Sequence, residues 1–97
     1  MWGNILRWLS GNNKAVYGYT LRGKRGRINY VGETKYPNRR AAQHRSSGKR
    51  GRFKIERKFS SRPRARAWEA SKLRGYRRRH GGRNPRYNRT RSGGWKF

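Results

Sequence analysis

Residues 14–21 alternate: Ala15, Tyr17, Tyr19 and Leu21 face one way, and Val16, Gly18 and Thr20 face the other. A period of two marks a β-strand. Residues 22–26, Arg-Gly-Lys-Arg-Gly, form a glycine-punctuated turn. Residues 27–33 then resume a β-rich run through Ile28, Tyr30 and Val31. Together these runs predict a β-hairpin with a long loop. Pro37 opens a helix, because its missing N–H costs nothing at the first helical position. That helix carries Arg39, Arg40, Ala41, Ala42, Gln43 and His44 and stops near Gly48. Arg40 and His44 are four apart and stack on one face. Residues 52–59 predict a third strand with Phe53, Ile55 and Phe59 on its apolar side, a pattern that Arg57 breaks. Ser60 or Ser61 caps a second helix, with Pro63 in its first turn. Ala65, Glu69, Leu73 and Tyr76 lie along one stripe of it, and Trp68 sits beside them.

Beyond Tyr76 the pattern changes. Residues 77–83, with Arg77, Arg78, Arg79, His80 and Arg83, are expected to form a solvated basic loop. Asn84-Pro85-Arg86-Tyr87-Asn88 restores turn and aromatic signals, and residues 89–97 form a basic, glycine-rich tail with Trp95 and Phe97 near its end. Residues 1–13 read as an N-terminal extension, a short amphipathic helix with Trp2, Ile5, Leu6 and Leu9 inward. The single domain is then residues 14–88. Its order, β-β-α-β-α, predicts an α+β fold: a small three-stranded antiparallel sheet flanked by helices.

Composition sharpens this picture. Only 30% of the residues are hydrophobic, but 13% are aromatic, so a few tyrosines and tryptophans carry the packing. The chain has 29 Lys and Arg against three acids, Glu33, Glu56 and Glu69, and a formal net charge of +26. Such repulsion calls for a polyanion, and Lys and Arg that neutralise nucleic-acid phosphates gain by counterion release. Arg outnumbers Lys 21 to 8, and its flat fork suits phosphate. With no cysteine, disulfides, thiolate zinc sites and a cysteine nucleophile are excluded. No apolar run approaches the ~20 residues of a membrane span. A start with Arg7 inside a short apolar stretch does not read as a signal peptide. The expected setting is cytoplasmic: the nucleoid or the cytoplasm of a phage-infected host.

The remaining features form an ordered set. Ala15-Val16-Tyr17 and Tyr30-Val31-Gly32 lie on the two hairpin strands, and Gly32 stands where backbone comes close to something. Arg40 and His44 follow on the first helix, ten and fourteen residues after Tyr30; Glu69 lies mid-way along the second helix, and Asn88 follows Pro85-Arg86-Tyr87. Over residues 14–88 this order resembles the GIY-YIG nuclease superfamily of phage homing endonucleases, some restriction enzymes and the incision module of bacterial excision repair. Two departures stand out. Ala15 replaces a glycine, and Asn88 comes nineteen residues after Glu69, so the arginine loop reads as an insertion and Asn84 rivals Asn88.

The resemblance implies a metal-dependent endonuclease. Phosphodiester hydrolysis needs an activated water, a counter to developing phosphate charge and help for the leaving oxygen; a divalent ion supplies much of the last two. Mg²⁺, or Mn²⁺, prefers oxygen and keeps several waters, so one carboxylate can anchor one ion. Glu69 is the implied metal ligand. Arg40 would clamp the scissile phosphate. Tyr17 would position or deprotonate the water, with the cationic field expected to lower its pKa. Tyr30 and His44 would orient water or phosphate, and Asn88 would brace the site. Arg39, Arg77, Arg78, Arg79, Arg83 and Arg86 would track the nucleic-acid backbone. DNA is the leading substrate and RNA the alternative. The rival reading is a non-catalytic basic binder, either a ribosomal-type RNA-binding protein or a degenerate nuclease fold. A pure binder has no use for Glu69 on an inward stripe. Each residue also has a plainer reading: Tyr17 and Tyr30 as core aromatics, Arg40 as one phosphate-contacting arginine among many, His44 as a helix-surface residue, Glu69 as a partner of Arg66 or Lys72, Asn88 as a turn former.

Overall fold

A computed structural model describes residues 15–89; the expectations for residues 1–14 and for the tail with Trp95 and Phe97 lie outside them. The hairpin comprises β1 (Val16–Arg22) and β2 (Ile28–Thr34), joined through a single 3-10 turn at Lys24–Gly26. Helix α1 (Pro37–Ser46) follows, then β3 (Arg52–Phe59) and helix α2 (Arg62–Arg79). The three strands form one antiparallel sheet in the order β2-β1-β3. This is the α+β arrangement expected from the pattern.

With β1 in the centre, both of its faces are covered, and every residue from Val16 to Leu21 is buried. The β1–β2 register pairs Tyr17 with Thr34, Tyr19 with Gly32 and Leu21 with Tyr30. These residues share one face, where Tyr19, Leu21 and Tyr30 form the apolar cluster, with Phe53 and Tyr87 packed against it. Gly18 and Glu33 pair on the other face. There α2 lies so close that a Cβ on Gly18 would come within 2.6 Å of the Trp68 ring.

The third strand departs from simple alternation. Tyr19 pairs with Ile55, but Gly18 pairs with Arg57, so Glu56 is the extra residue of a β-bulge. Phe53 and Ile55 therefore lie on the Tyr19 face, while Phe59 is moved to the other face and meets Trp68 with ring centroids 6.0 Å apart. The irregularity at Arg57 was the trace of this bulge. The bulge also aims the Glu56 carboxylate at β1, where it accepts from Thr20 Oγ1 at 2.6 Å and pairs with Arg22 at 2.8 Å.

Ser61 caps α2, its side chain accepting from the Arg64 N–H, and Ala65, Glu69 and Leu73 form the buried stripe. The expected loop at residues 77–83 is corrected: Arg77, Arg78 and Arg79 are the last turn of α2. Arginine is a good helix former, and cations suit a helix C-terminus. The stop comes at Gly81, in the left-handed region at φ 64°, while the Gly82 N–H closes back on the Arg77 carbonyl at 2.8 Å.

As an edge strand, β2 would offer a row of unpaired backbone groups. Three later residues occupy that row. The Tyr87 N–H donates to the Asn29 carbonyl at 2.9 Å. Asn88 acts as a two-pronged clip: its Oδ1 accepts from the Val31 N–H and its Nδ2 donates to the Val31 carbonyl, both at 2.9 Å. The Arg40 guanidinium donates to the Glu33 carbonyl at 3.4 Å. Asn84, the rival of Asn88, accepts from Arg77 instead.

Val31 is fully buried, so Asn88→Ala would strand two backbone groups, each costing about 1–3 kcal/mol. Asn88→Ala is expected to lower unfolding free energy by about 2–4 kcal/mol in urea titration, against under about 1 kcal/mol for Asn84→Ala. Equal losses would contradict the clip.

Candidate functional site

Gly32 decides how the site is built. A Cβ there would come within 2.7 Å of both the Tyr19 hydroxyl and the Tyr30 ring. With no side chain in the way, Tyr19 extends from the central strand across β2 toward the open edge. Its ring lies 5.9 Å from that of Tyr30 and stacks at 4.4 Å on Phe53, which fixes the direction of its hydroxyl.

Helix α1 brings two partners to that hydroxyl. Pro37 at its start and His44 two turns on are its buried residues. His44 is 1% exposed, and its Nε2 lies 2.7 Å from the Tyr19 oxygen. Arg40, one turn earlier on the same face, reaches the same oxygen through Nη1 at 3.5 Å and is held by Gln43 at 3.2 Å. The spacing of Arg40 and His44 thus converges on one phenol oxygen. The His44 ring packs at 4.9 Å from Tyr30 and 6.5 Å from Phe53.

Glu69 comes from the buried stripe of α2 and is 3% exposed. Its charge raises the pKa of both Tyr19 and Tyr30, so the carboxylate stands within electrostatic reach of both hydroxyls. Burial is the larger cause for each tyrosine. For Tyr19, Arg40 opposes it by hydrogen bond and by charge; for Tyr30, Arg40 opposes by charge. Both phenols are therefore held protonated. His44 moves the opposite way: burial, then the charges of Lys49 and Arg40, push its pKa down to about 4, so it is a neutral imidazole at pH 7. The tautomer of neutral His44 sets which of the two groups donates in their bond: the Tyr19 O–H donates when the ring proton is on Nδ1.

Tyr17 lies two residues further along β1, between Thr34 and Lys58, and is 1% exposed. The expectation that cations lower its pKa is corrected: burial raises it. Tyr19, which alternation marked only as a strand aromatic, is the tyrosine whose hydroxyl accepts from Arg40 and shares a hydrogen bond with His44. The available signal was the hairpin register, since pairing Leu21 with Tyr30 sets Tyr19 opposite Gly32. Asn88 braces β2 as described, at Val31, between Tyr30 and Gly32. Among the arginines expected on the nucleic acid, Arg39 lies over the Tyr36 ring at 4.9 Å and Arg86 over Tyr87 at 5.3 Å. Arg77 and Arg78 line a concavity of about 440 Å³ with Arg74 and Gly82, and Arg79 and Arg83 are exposed nearby.

The donor chemistry bears on a metal. Among the described residues no three His, Cys, Asp or Glu side chains cluster. Glu69 is the buried carboxylate that could hold an ion, within electrostatic reach of two phenols, while His44 is bonded to Tyr19. Such an oxygen-only set suits one hydrated Mg²⁺ or Mn²⁺ and not zinc.

The His44 environment sets a pH window. Its folded-state pKa lies below the ordinary 6.5, so the unfolded chain binds the proton more tightly. The stabilisation is complete above about pH 6.5 and is lost as pH falls toward 4, on the order of 3 kcal/mol in all. Glu56, raised by burial but lowered further by its bonds to Thr20 and Arg22, adds its own loss as pH falls through its usual 4.5, so the His44 share is the difference between wild type and variant. Urea denaturation between pH 4 and 7 should show this slope in the wild type and a flatter one in His44→Gln; parallel slopes would contradict it.

The protein-family model for the GIY-YIG catalytic domain matches residues 15–83, which ends short of Asn88. No curated protein and no solved structure matches the chain. A match over more than two thirds of the sequence, on a three-stranded sheet carrying both tyrosine segments, shows that the chain belongs to the GIY-YIG family.

Proposed function

We infer that the protein is a metal-dependent endonuclease that hydrolyses phosphodiester bonds in DNA. The observation that carries this is the meeting of Tyr19, Arg40 and His44 at one oxygen, with buried Glu69 in electrostatic reach. A basic binder would not need a buried carboxylate facing two protonated phenols. DNA is favoured over RNA by the family resemblance, and the place of action is then wherever DNA lies, in the nucleoid or the cytoplasm of an infected host. No helix among the described residues is long and apolar enough to cross a membrane.

Each side chain has a task that follows from its surroundings. Arg40 offers its guanidinium to a non-bridging oxygen of the scissile phosphate, a preorganised donor worth about 3 kcal/mol of transition-state stabilisation. A resting tyrosinate is disfavoured at Tyr19, because burial raises its pKa. The hydroxyl works instead as a relay. It takes a proton from the attacking water as it passes its own to His44 Nε2, and the phenol ends neutral. A bound phosphodiester cancels part of the Arg40 and Lys49 field that lowers the His44 pKa, so His44 gains basicity when substrate arrives. Tyr30 packs against both rings and limits their rotation. Glu69 would hold one Mg²⁺ or Mn²⁺, which supplies charge stabilisation at the phosphate and the leaving oxygen.

Glu69→Gln keeps the size and removes the charge of the anchor. In a plasmid cleavage assay with Mg²⁺ it is expected to abolish cutting while DNA binding stays equal or tightens, and excess chelator should silence the wild type. Undiminished cutting by the variant, or cutting in chelator, would rule out the metal reading. A wild type that binds but never cuts would favour the non-catalytic binder.

A further inference from the structure

We propose that the concavity between the end of α1 and the segment after Pro85 is a second phosphate subsite, which holds a backbone phosphodiester of the same nucleic-acid strand a few nucleotides from the bond to be cut. Its lining is Ser47, Gly48, Lys49, Arg86, Tyr87 and Arg89, around a volume of about 330 Å³. The proposal rests on the nucleic-acid reading above but not on cleavage.

Three cations and no carboxylate stand in this lining. All three acids of the chain are placed elsewhere. Glu56 is with Arg22, Glu33 is with Arg62 and Arg66, and Glu69 lies in the buried stripe of α2. Lys49 and Arg86 are drawn to the same aromatic ring, at 5.9 Å and 5.3 Å from the Tyr87 centroid. That ring does not move freely. Its hydroxyl accepts from the Arg50 N–H at 3.1 Å, its own N–H is bonded to Asn29, and it packs on the Tyr19 cluster. The cations are thus gathered on a fixed wall.

The bland alternative is that they only offset the C-terminal dipole of α1. That dipole amounts to about half a negative charge, while Lys49, Arg86 and Arg89 carry a full charge each. Burial, with Arg89 as the second cause, lowers the pKa of Lys49, as expected where cations are crowded together. The backbone at Gly48 is open, with nothing within 4 Å of where a Cβ would stand.

The location ties the concavity to the catalytic cluster. The Lys49 N–H donates to the His44 carbonyl at 3.0 Å, so the wall begins where His44 ends. From Arg40 to Ser47 is seven residues of helix, about 10 Å at 1.5 Å per residue. Duplex phosphates on one strand advance about 3.4 Å per step along the axis, so this span covers about three steps. A strand lying along α1 would place one phosphate at Arg40 and another at the Tyr87 wall.

The test is the salt dependence of binding to a fluorescently labelled DNA duplex, in the Glu69→Gln background without divalent ions. Lys49→Gln combined with Arg89→Gln should weaken binding about tenfold near physiological salt and flatten the slope of log affinity against log salt by about one unit, the value for one phosphate. Lys54→Gln combined with Arg64→Gln removes the same charge from exposed positions on β3 and α2 and should change the slope by less than half as much. Lys49→Arg combined with Arg89→Lys should keep the wild-type slope, which separates charge loss from misfolding. If the first pair matched the control pair, or the charge-preserving pair lost the slope as well, the subsite would be overturned. Failure of the cleavage reading looks different: the wild type would bind with its full slope yet never cut in Mg²⁺.

Discussion

Position 32 carries no side chain, and the site depends on that absence. Tyr19 starts on the central strand, yet its hydroxyl meets groups that belong to the far side of β2. It reaches them only because it crosses β2 at a glycine, where a methyl group would sit 2.7 Å from its oxygen. Tyr30 packs beside it, Phe53 stacks beneath it, and the 2.7 Å bond to His44 fixes its end. Arg40 then has two acceptors in reach, the Tyr19 oxygen and the Glu33 carbonyl, and so ties helix to strand edge. The geometry of the candidate site and closure of the sheet edge are one construction here.

Charge is the second constraint. Three carboxylates must serve a chain of 29 cations. Glu56 is delivered by the bulge to Thr20 and Arg22, and Glu33 ties β2 to Arg62 and Arg66 of α2 at 3.5 Å. The Glu33 pairs, whose arginines are exposed, are worth little individually. Glu69 is the one kept at 3% exposure, near protonated phenols. Six of the other cations line concavities at the two helix ends, Arg74, Arg77 and Arg78 in one and Lys49, Arg86 and Arg89 in the other. A polyanion bound in these concavities would relieve the repulsion opposing the fold, which would link compaction to nucleic-acid binding.

Local chemistry was legible in the sequence, and tertiary reach was not. Alternation marked β1, Pro37 marked α1, Ser60 or Ser61 marked α2, and the stripe of Ala65, Glu69 and Leu73 marked its inward face; each is decided by neighbours within a few residues. The bulge at Glu56 was visible only as a broken pattern at Arg57, because a one-residue slip is defined by the partner strand. Residues 77–79 looked like a loop because of the glycines that follow, although arginine has no aversion to a helix. The direction of the Tyr17 pKa depends on burial, which no spacing reveals. The family signature drew attention to Tyr17; which of two tyrosines on one face meets His44 is set by the register with Gly32.

That choice between tyrosines is where the mechanism is most exposed. The direct measurement is single-turnover cleavage of supercoiled DNA in Mg²⁺ by Tyr19→Phe and by Tyr17→Phe, each of which keeps its ring and loses only the hydroxyl. Tyr19→Phe should lose at least about 100-fold, the lower end for removal of a general acid–base group, while Tyr17→Phe stays within about tenfold of wild type. Full activity in Tyr19→Phe, or a greater loss in Tyr17→Phe, would contradict a site organised on the Tyr19 hydroxyl.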